Sequence, residues 1–537
     1  MKIFNSVAQM KLATIKAGQY VETFGYYTKG DAGAARYLVV ASQAADEKGD
    51  HTLANSTVAV LQVGDDVNIL QFGAVGDGVT DDTLSITSAS VYADSIGVSL
   101  VNNNNVSFVG ALSLTGNLSG RGKYIGVTSG VKPTYVALKA ADLATRSTLM
   151  NDYWTSSVTF SSSFKGLVEF EGVLFKNNPS INGIFTGTNC GIIGSEFRVD
   201  GGVATVPSII SVDSSGVGLH AKYSGVMLAD DCIITDSANR GLYSQLGGVI
   251  SALNAQIHDV ADSGAVILYG GTINCSNAVI ETTGKHGLII NYGGSINADS
   301  ISIDSTNNSG IVCESNGAIF ANGCTVTNVN NDEGIVTTFG GFVQANSASI
   351  SVISSFALYA LGGGEISAIG ASLTGSINSG GIAVRAIGNG KISIESTATT
   401  AIRFSPKWNT FGNGTALITT NTDSTNAGAG PLILGQAGFE RTISVGVIDT
   451  TGYSYIEVDT EANAATDDLD TINGGVHGQR LVLQAENSGR TVVVKNGTGN
   501  LYLSTGTDFD LDHAEDKIEL IYTTSNQWHE LSRSTNS

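Results

Sequence analysis

Proline is scarce in this chain, with 5 residues among 537 against 67 glycines. With abundant Ser, Thr and Asn and only 14% charged residues, that balance fits stacked β turns. Cysteine is scarce as well: five residues, an odd number, with no CxxC pair. That excludes a disulfide framework and a zinc site, and the cysteines read as small buried hydrophobes. Basic residues are few, 27 against 48 acidic ones, for a formal net charge of −21. Nucleic acid and anionic membrane are disfavoured as partners, because phosphate binding needs a positive footprint. The acidic excess mainly promotes solubility. No apolar run is long enough to insert into a membrane, and Met1 to Ala13 lacks the apolar stretch of a signal peptide. The expectation is a protein without a signal peptide that folds in a cytoplasm. Apolar residues themselves are plentiful at 42%, enough for a core and too many for disorder. At this length either several domains or one elongated solenoid is expected.

The chain repeats. Segments open at Gly218, Gly241, Gly264, Gly287, Gly310, Gly334, Ala357 and Gly381, at intervals of 23 or 24 residues. Glycine stands seven residues on, at Gly225, Gly248, Gly271, Gly294, Gly317, Gly341 and Gly364. Two further on comes the column Met227, Ile250, Ile273, Ile296, Ile319, Val343 and Ile366. Later in each segment comes Ile234, Ile257, Ile280, Ile303, Val326, Ile350 and Leu373. Apolar residues at every second position between glycine corners read as short strands with one buried face. A period in the low twenties with two or three strands reads as one solenoid turn. One unit cannot bury its inward side chains alone. Rungs stacked about 4.8 Å apart can, by placing like over like in parallel sheets. The fold class is therefore all-β, a parallel β-helix. A leucine-rich repeat is excluded, since neither its Leu consensus nor its helical half is present.

Along the chain, residues 1–70 read as a small β-rich N-terminal domain. Strand-like runs at Tyr20 to Tyr27 and Tyr37 to Val40 flank a Gly/Asp turn and suggest a hairpin. Residues 71–402 read as the β-helix, with regular rungs over 218–390. Asp81 or Asp82 is placed to N-cap a helix over about 82–96. The carboxylates of the Gly/Asp loop before it read as a turn that closes the open end of the solenoid. The segment 132–164, with Tyr135, Arg146, Tyr153 and Trp154, reads as an inserted loop over a rigid frame, a common place for recognition. Tyr153 and Trp154, if exposed, offer aromatic faces to sugars. Residues 403–440 read as a closing turn and linker, and 441–537 as an antiparallel β-sandwich.

The motif FGAVGDGVTDDT, from Phe72 to Thr83, resembles the opening motif of the pectate-lyase-like right-handed β-helix superfamily, as found in tailspikes and tail fibres of bacterial viruses. The block FGYYTKGDAGAARYLVV before it resembles the opening segment of many such tailspikes. The resemblance implies a homotrimeric virion protein, located in the phage tail. Its residues 1–70 would be virion-proximal and face the tail or baseplate, and its β-helix would meet a host surface polysaccharide, capsule or lipopolysaccharide. It also implies that the DG-TDDT residues are structural. The C-terminal block resembles modules of other phage tail proteins that trimerise, chaperone assembly or bind sugar. No cofactor is implied.

Cleavage of that glycan is the alternative to adhesion, and a non-enzymatic shaft is a further one. A hydrolase needs two carboxyl groups flanking the glycosidic bond, and a lyase needs a base and a group that neutralises a uronate. The column Thr235, His258, Glu281, Asp304, Thr327, Ser351 and Thr374 lies between two inward ones and so faces out. In it Glu281 and Asp304 would occupy adjacent rungs as acid and base or nucleophile, with His258 one rung earlier. Asp236 and Asp259 flank the column as glycan-binding candidates. Polygalacturonases, by resemblance, carry Asn-Thr-Asp, Asp-Asp and Gly-His-Gly in that order. Here Asp230-Asp231, Lys285-His286-Gly287 and Asn421-Thr422-Asp423 break the order, so those roles do not transfer. No calcium cluster of the pectate-lyase kind is recognisable, and no metal site is expected.

Overall fold

The computed structural model describes residues 1–374 apart from 116, 161, 162, 165, 177–179, 353 and 354, together with 384–387, 389–396, 415–420, 440–450, 453–475 and 477–536. Each regular turn folds as three short strands. The first turn of the repeat has Leu219–Lys222, Val226–Leu228 and Ile233–Ser237, and the next has Leu242–Gln245, Val249–Ser251 and Gln256–Val260. Strands one turn apart pair in parallel, Leu219 with Leu242, Met227 with Ile250 and Ile234 with Ile257. Three parallel sheets result, called first, second and third here in the order the chain meets them, and the winding is right-handed. The third sheet has twelve strands, from Ala111–Leu114 to Ser372–Thr374.

The inward columns are the core. The Met227 and Ile234 columns are fully buried over almost their whole length, as are Ala229, Ala252, Cys275 and Ala298 between them. Each buried Ile contributes roughly 1.5–3 kcal/mol of transfer free energy, which no single turn could gain alone. Glycine recurs at Gly218, Gly241 and Gly264 for lack of space. A Cβ at Gly264 would stand 2.5 Å from Ile280 Cγ2 and 2.8 Å from the Gly287 carbonyl oxygen. All five cysteines are buried and unpaired, and burial pushes the Cys275 thiol up to about 12.

The N-terminal part is a five-stranded sheet, ordered Lys2–Phe4, Tyr20–Thr23, Ala35–Val40, Val58–Gln62 and His51–Thr52. Tyr20–Thr23 and Ala35–Val40 pair antiparallel. Asp31 fixes the loop between them by accepting the N–H groups of Tyr26, Tyr27, Thr28 and Gly33. The solenoid begins earlier than residue 71, since Asp66–Asn68 already pairs in parallel with Ser99–Phe108. The capping helix runs Thr83–Ser95. Asp82 holds its N-cap position, but its buried carboxylate turns back to accept the N–H groups of Val75 at 2.7 Å and Gly76 at 3.0 Å. Asp81 instead accepts the Thr83 N–H at 2.9 Å. The acids of the motif loop are thus engaged in closing the first turn.

Parallel stacking continues past the regular repeat, with Lys391–Ser396 paired to Thr415–Thr420. The expected linker over 403–440 therefore contains a strand; its remaining residues before 440 lie outside the described ones. The C-terminal strands form a second compact unit. Its six-stranded sheet and two smaller sheets surround a core that includes Ile456, Leu483, Ile518 and Trp528. The expected antiparallel sandwich is instead a mixed one. Tyr455–Asp459 and Arg480–Ala485 pair in parallel, as do Thr466–Leu469 and Thr491–Val494, while Arg480–Ala485 and Lys517–Tyr522 pair antiparallel. The unit begins with parallel pairs and ends in one hairpin, Lys517–Tyr522 with Trp528–Ser534.

Candidate functional site

The segment expected as an inserted loop folds as two helices, Tyr135–Ala140 and Leu143–Tyr153. Thr134 and Asp142 cap them, accepting the N–H groups of Ala137 at 3.3 Å and Thr145 at 2.8 Å. Arg146, Met150 and Trp154 recur at four-residue spacing and so share one face. That face lies on the outside of the third sheet. Leu138, Met150 and Trp154 form a cluster with Leu174, Ile210 and Val212, so sheet positions expected to meet solvent are covered.

Beyond this apolar footing the helices are tied down by charge. Arg146, itself buried, pairs with Asp236 and donates to Asp259 at 2.9 Å, while its Nε donates to the Leu138 carbonyl at 2.5 Å. Lys139 pairs with Glu281, and the Tyr135 hydroxyl donates to the same carboxylate at 2.6 Å. The Tyr135 ring meets His258 edge-on, 6.4 Å between centroids. A kink repeated in register on adjacent strands of the third sheet sets off the two aspartates. The register passes from Thr235–His258 to Ser237–Val260 and skips Asp236 and Asp259, both at φ 55°. Aspartate tolerates that left-handed conformation better than most residues.

The outward column is in register as expected: His258 pairs with Glu281 and Glu281 with Asp304. The structure brings the three together and engages each of them. Burial raises the Glu281 carboxyl, but hydrogen bonds from Lys139 and Tyr135 outweigh it and leave the group below its usual range. Burial likewise opposes, and hydrogen bonds from Thr327, Asn328 and Ser305 overcome, so that Asp304 is also held low. Thr327 and Asn328 each donate to Asp304 at 2.6 Å. Burial holds His258 below its ordinary value although Asp259 Oδ2 lies 2.9 Å away.

The expectation that Trp154 offers a face to glycan is corrected here, and Tyr153 is half-buried. Trp154 is 2% exposed, its indole fills the space over Gly191, and its Nε1 donates to the Asn189 carbonyl at 2.8 Å, so it offers no face to a sugar. Tyr153 packs edge-on against Trp154, and its hydroxyl accepts from Asn189 Nδ2 at 2.9 Å. Asp236 and Asp259 are committed to Arg146. Among the described residues no group of three His, Cys, Asp or Glu side chains could hold a metal ion, and no helix is long and apolar enough to cross a membrane.

No protein-family model matches the chain, and no curated protein matches it. Distant likenesses to solved structures exist. The catalytic unit of an α-1,3-glucanase from Streptomyces thermodiastaticus superposes with a TM-score of 0.44 at 15% identity, covering 65% of this chain and 74% of that one. An Acinetobacter phage tailspike gives a TM-score of 0.31 at 12% identity over 100% of this chain and 94% of that one. A full-length tailspike of an Escherichia coli bacteriophage gives 0.27 at 14%, over 73% of this chain but only 51% of its own length. Likenesses this remote carry no functional argument, and the fold stands on the strand register described above.

Proposed function

We propose that this chain is a receptor-binding protein of a phage tail, a tailspike that adheres to bacterial surface polysaccharide. The observation that carries the reading is the role of the Phe72–Thr83 motif. In the family it resembles, this motif is structural and precedes a solenoid; here Asp82 and Asp81 close the first turn of one. A rigid rod with long, mostly uncharged polar sides suits a glycan ligand better than a phosphate-bearing one, and the charge of −21 points the same way. On this reading the protein is a homotrimer, with its N-terminal sheet toward the tail. The test is saturable binding of the full chain to a panel of purified capsular and O-antigen polysaccharides, with its mass measured by sedimentation. Binding to one polysaccharide at a three-chain mass supports the reading; no binding across the panel contradicts it.

A second reading is cleavage of the bound glycan, favoured by the direct pairing of Glu281 with Asp304. Paired positions on adjacent strands put their Cβ atoms about 5 Å apart, so the two side chains leave the sheet side by side. Against it, a general acid at neutral pH needs a raised pKa, and both carboxyls are held low. Glu281 would also have to leave Lys139 and Tyr135. Release of oligosaccharides that is lost in Glu281→Gln and Asp304→Asn would establish this reading, with His258 as the next residue to change.

A further inference from the structure

The corner between the first and second sheets carries a column of large side chains in a backbone conformation that disfavours them. Its members are Tyr223, Leu246, Tyr269, Tyr292, Ser315, Phe339 and Gly362, and all have φ between 48° and 63°. Five of the seven are large and apolar, and all five are exposed, Tyr292 at 59% and Phe339 at 66%. The molecule supplies its own control. At the corner between the second and third sheets the left-handed column reads Asp231, Asn254, Asn277, Ser300, Gly323, Ser347 and Gly370. Five of those seven are Gly, Asn or Asp, the types that tolerate this conformation, and the other two are the small residue Ser. Bulk at the first corner therefore adds backbone strain and exposes apolar surface. Strain of this kind clusters at functional sites.

The column also has a shape. The rings of Tyr269 and Tyr292 stack, 5.2 Å between centroids and 11° between planes. At the next rung Ser315 takes the place of a ring, and at the rung after that Phe339 restores one. Two rungs of about 4.8 Å separate Tyr292 from Phe339. Two rungs leave about the thickness of one pyranose ring between the free side of Tyr292 and the Phe339 position. Asn291, Glu314 and the exposed Asn316 stand beside it with amide and carboxylate groups and no positive charge.

We propose that this aromatic corner, centred on the slot at Ser315, is a binding site for a neutral, hexose-based polysaccharide lying along the rod. The proposal rests on the polysaccharide-adhesion reading above and places its contact away from the helix-covered third sheet. A sugar chain is the occupant that fits. Its C–H faces stack on aromatic rings, its hydroxyls suit Asn and Glu, and its repeat follows a line of rings one residue wide. A second copy of the chain would need a broad patch, about 800 Å² on each side, and not a single file. An anionic polymer would meet Glu314 and the acidic excess of the chain.

The experiment measures affinity of the full chain for whichever polysaccharide of the capsular and O-antigen panel the wild type binds. Variants are Tyr292→Ala with Phe339→Ala, Ser315→Tyr to fill the slot, and Tyr292→Gly. The expected result is at least a tenfold loss of affinity in the double variant and in Ser315→Tyr, with unchanged sedimentation mass. Tyr292→Gly is expected to lose affinity while its thermal midpoint holds or rises, because glycine relieves the left-handed strain. Wild-type affinity in the double variant would overturn the site and leave polysaccharide adhesion standing. A changed mass would make the corner a contact between copies, which also overturns the proposal. A wild type that binds nothing in the panel overturns the adhesion reading and the site together.

Discussion

At Gly264 a single methyl group meets both a side chain and a backbone oxygen. With its Cβ 2.5 Å from Ile280 Cγ2 and 2.8 Å from the Gly287 oxygen, Gly264→Ala is expected to cost about 1–3 kcal/mol. The check is a lower midpoint in denaturant unfolding with an unchanged slope. Ile303→Ala empties an inward position and is expected to cost about 2–5 kcal/mol by the same measurement. These residues were legible in the sequence, because every rung presents the same cross-section and packing repeats the residue type in its column. The engagement of the outward acids was not legible. Nothing in the spacing of His258, Glu281 and Asp304 says that Lys139 and Tyr135, more than a hundred residues earlier, reach Glu281. The aromatic corner was readable as a column. Its meaning depends on φ angles that a sequence does not display.

Among the elements, the two helices over the third sheet decide what that face can do. Arg146 is their charged anchor, and Arg146→Ala leaves Asp236 and Asp259 without their partner. The expected cost is about 2 kcal/mol, from losing charged hydrogen bonds in a half-buried setting. Faster hydrogen exchange across Tyr135–Ala140 and Leu143–Tyr153, with the solenoid strands unaffected, is the expected signature. Uniformly faster exchange would mean that the helices support the whole rod. The helices escaped the sequence reading although their signals exist: caps at Thr134 and Asp142, and Arg146, Met150 and Trp154 on one face. An inserted segment framed by strands draws the eye to loops, and an arginine on the packed face hides the apolar stripe. In the C-terminal unit the expected antiparallel pairing proved partly parallel. Alternation is the same in parallel and antiparallel sheets, so it does not fix their direction.

For the molecule as a whole, acid is expected to destabilise. Burial holds His258 and His286 below 6.5 and His51 down at about 4. A histidine lowered in the folded state binds fewer protons there than in the unfolded chain. Stability contributed by these groups is therefore present above 6.5 and declines as pH falls below it. Glu281 and Asp304, also lowered, add a further loss once pH falls below the ordinary carboxylate range, 4.5 for Glu and 3.8 for Asp. Asp50 and Glu333, raised by burial, act the other way, and the three histidines outnumber them. A thermal midpoint lower at pH 5.5 than at pH 7.5 is expected, and one equal or higher would contradict this assignment.

We propose a parallel solenoid that carries glycan along its aromatic corner while two helices cover part of its third sheet. Hydrogen exchange of the full chain, with and without the polysaccharide it binds, tests this most directly. Added protection is expected at the corner turns near Tyr269, Tyr292, Ser315 and Phe339, with exchange in the helices and across Gln256–Val260 and Val279–Thr283 unchanged. Protection confined to the helices and the third sheet, with the corner unaffected, would contradict it.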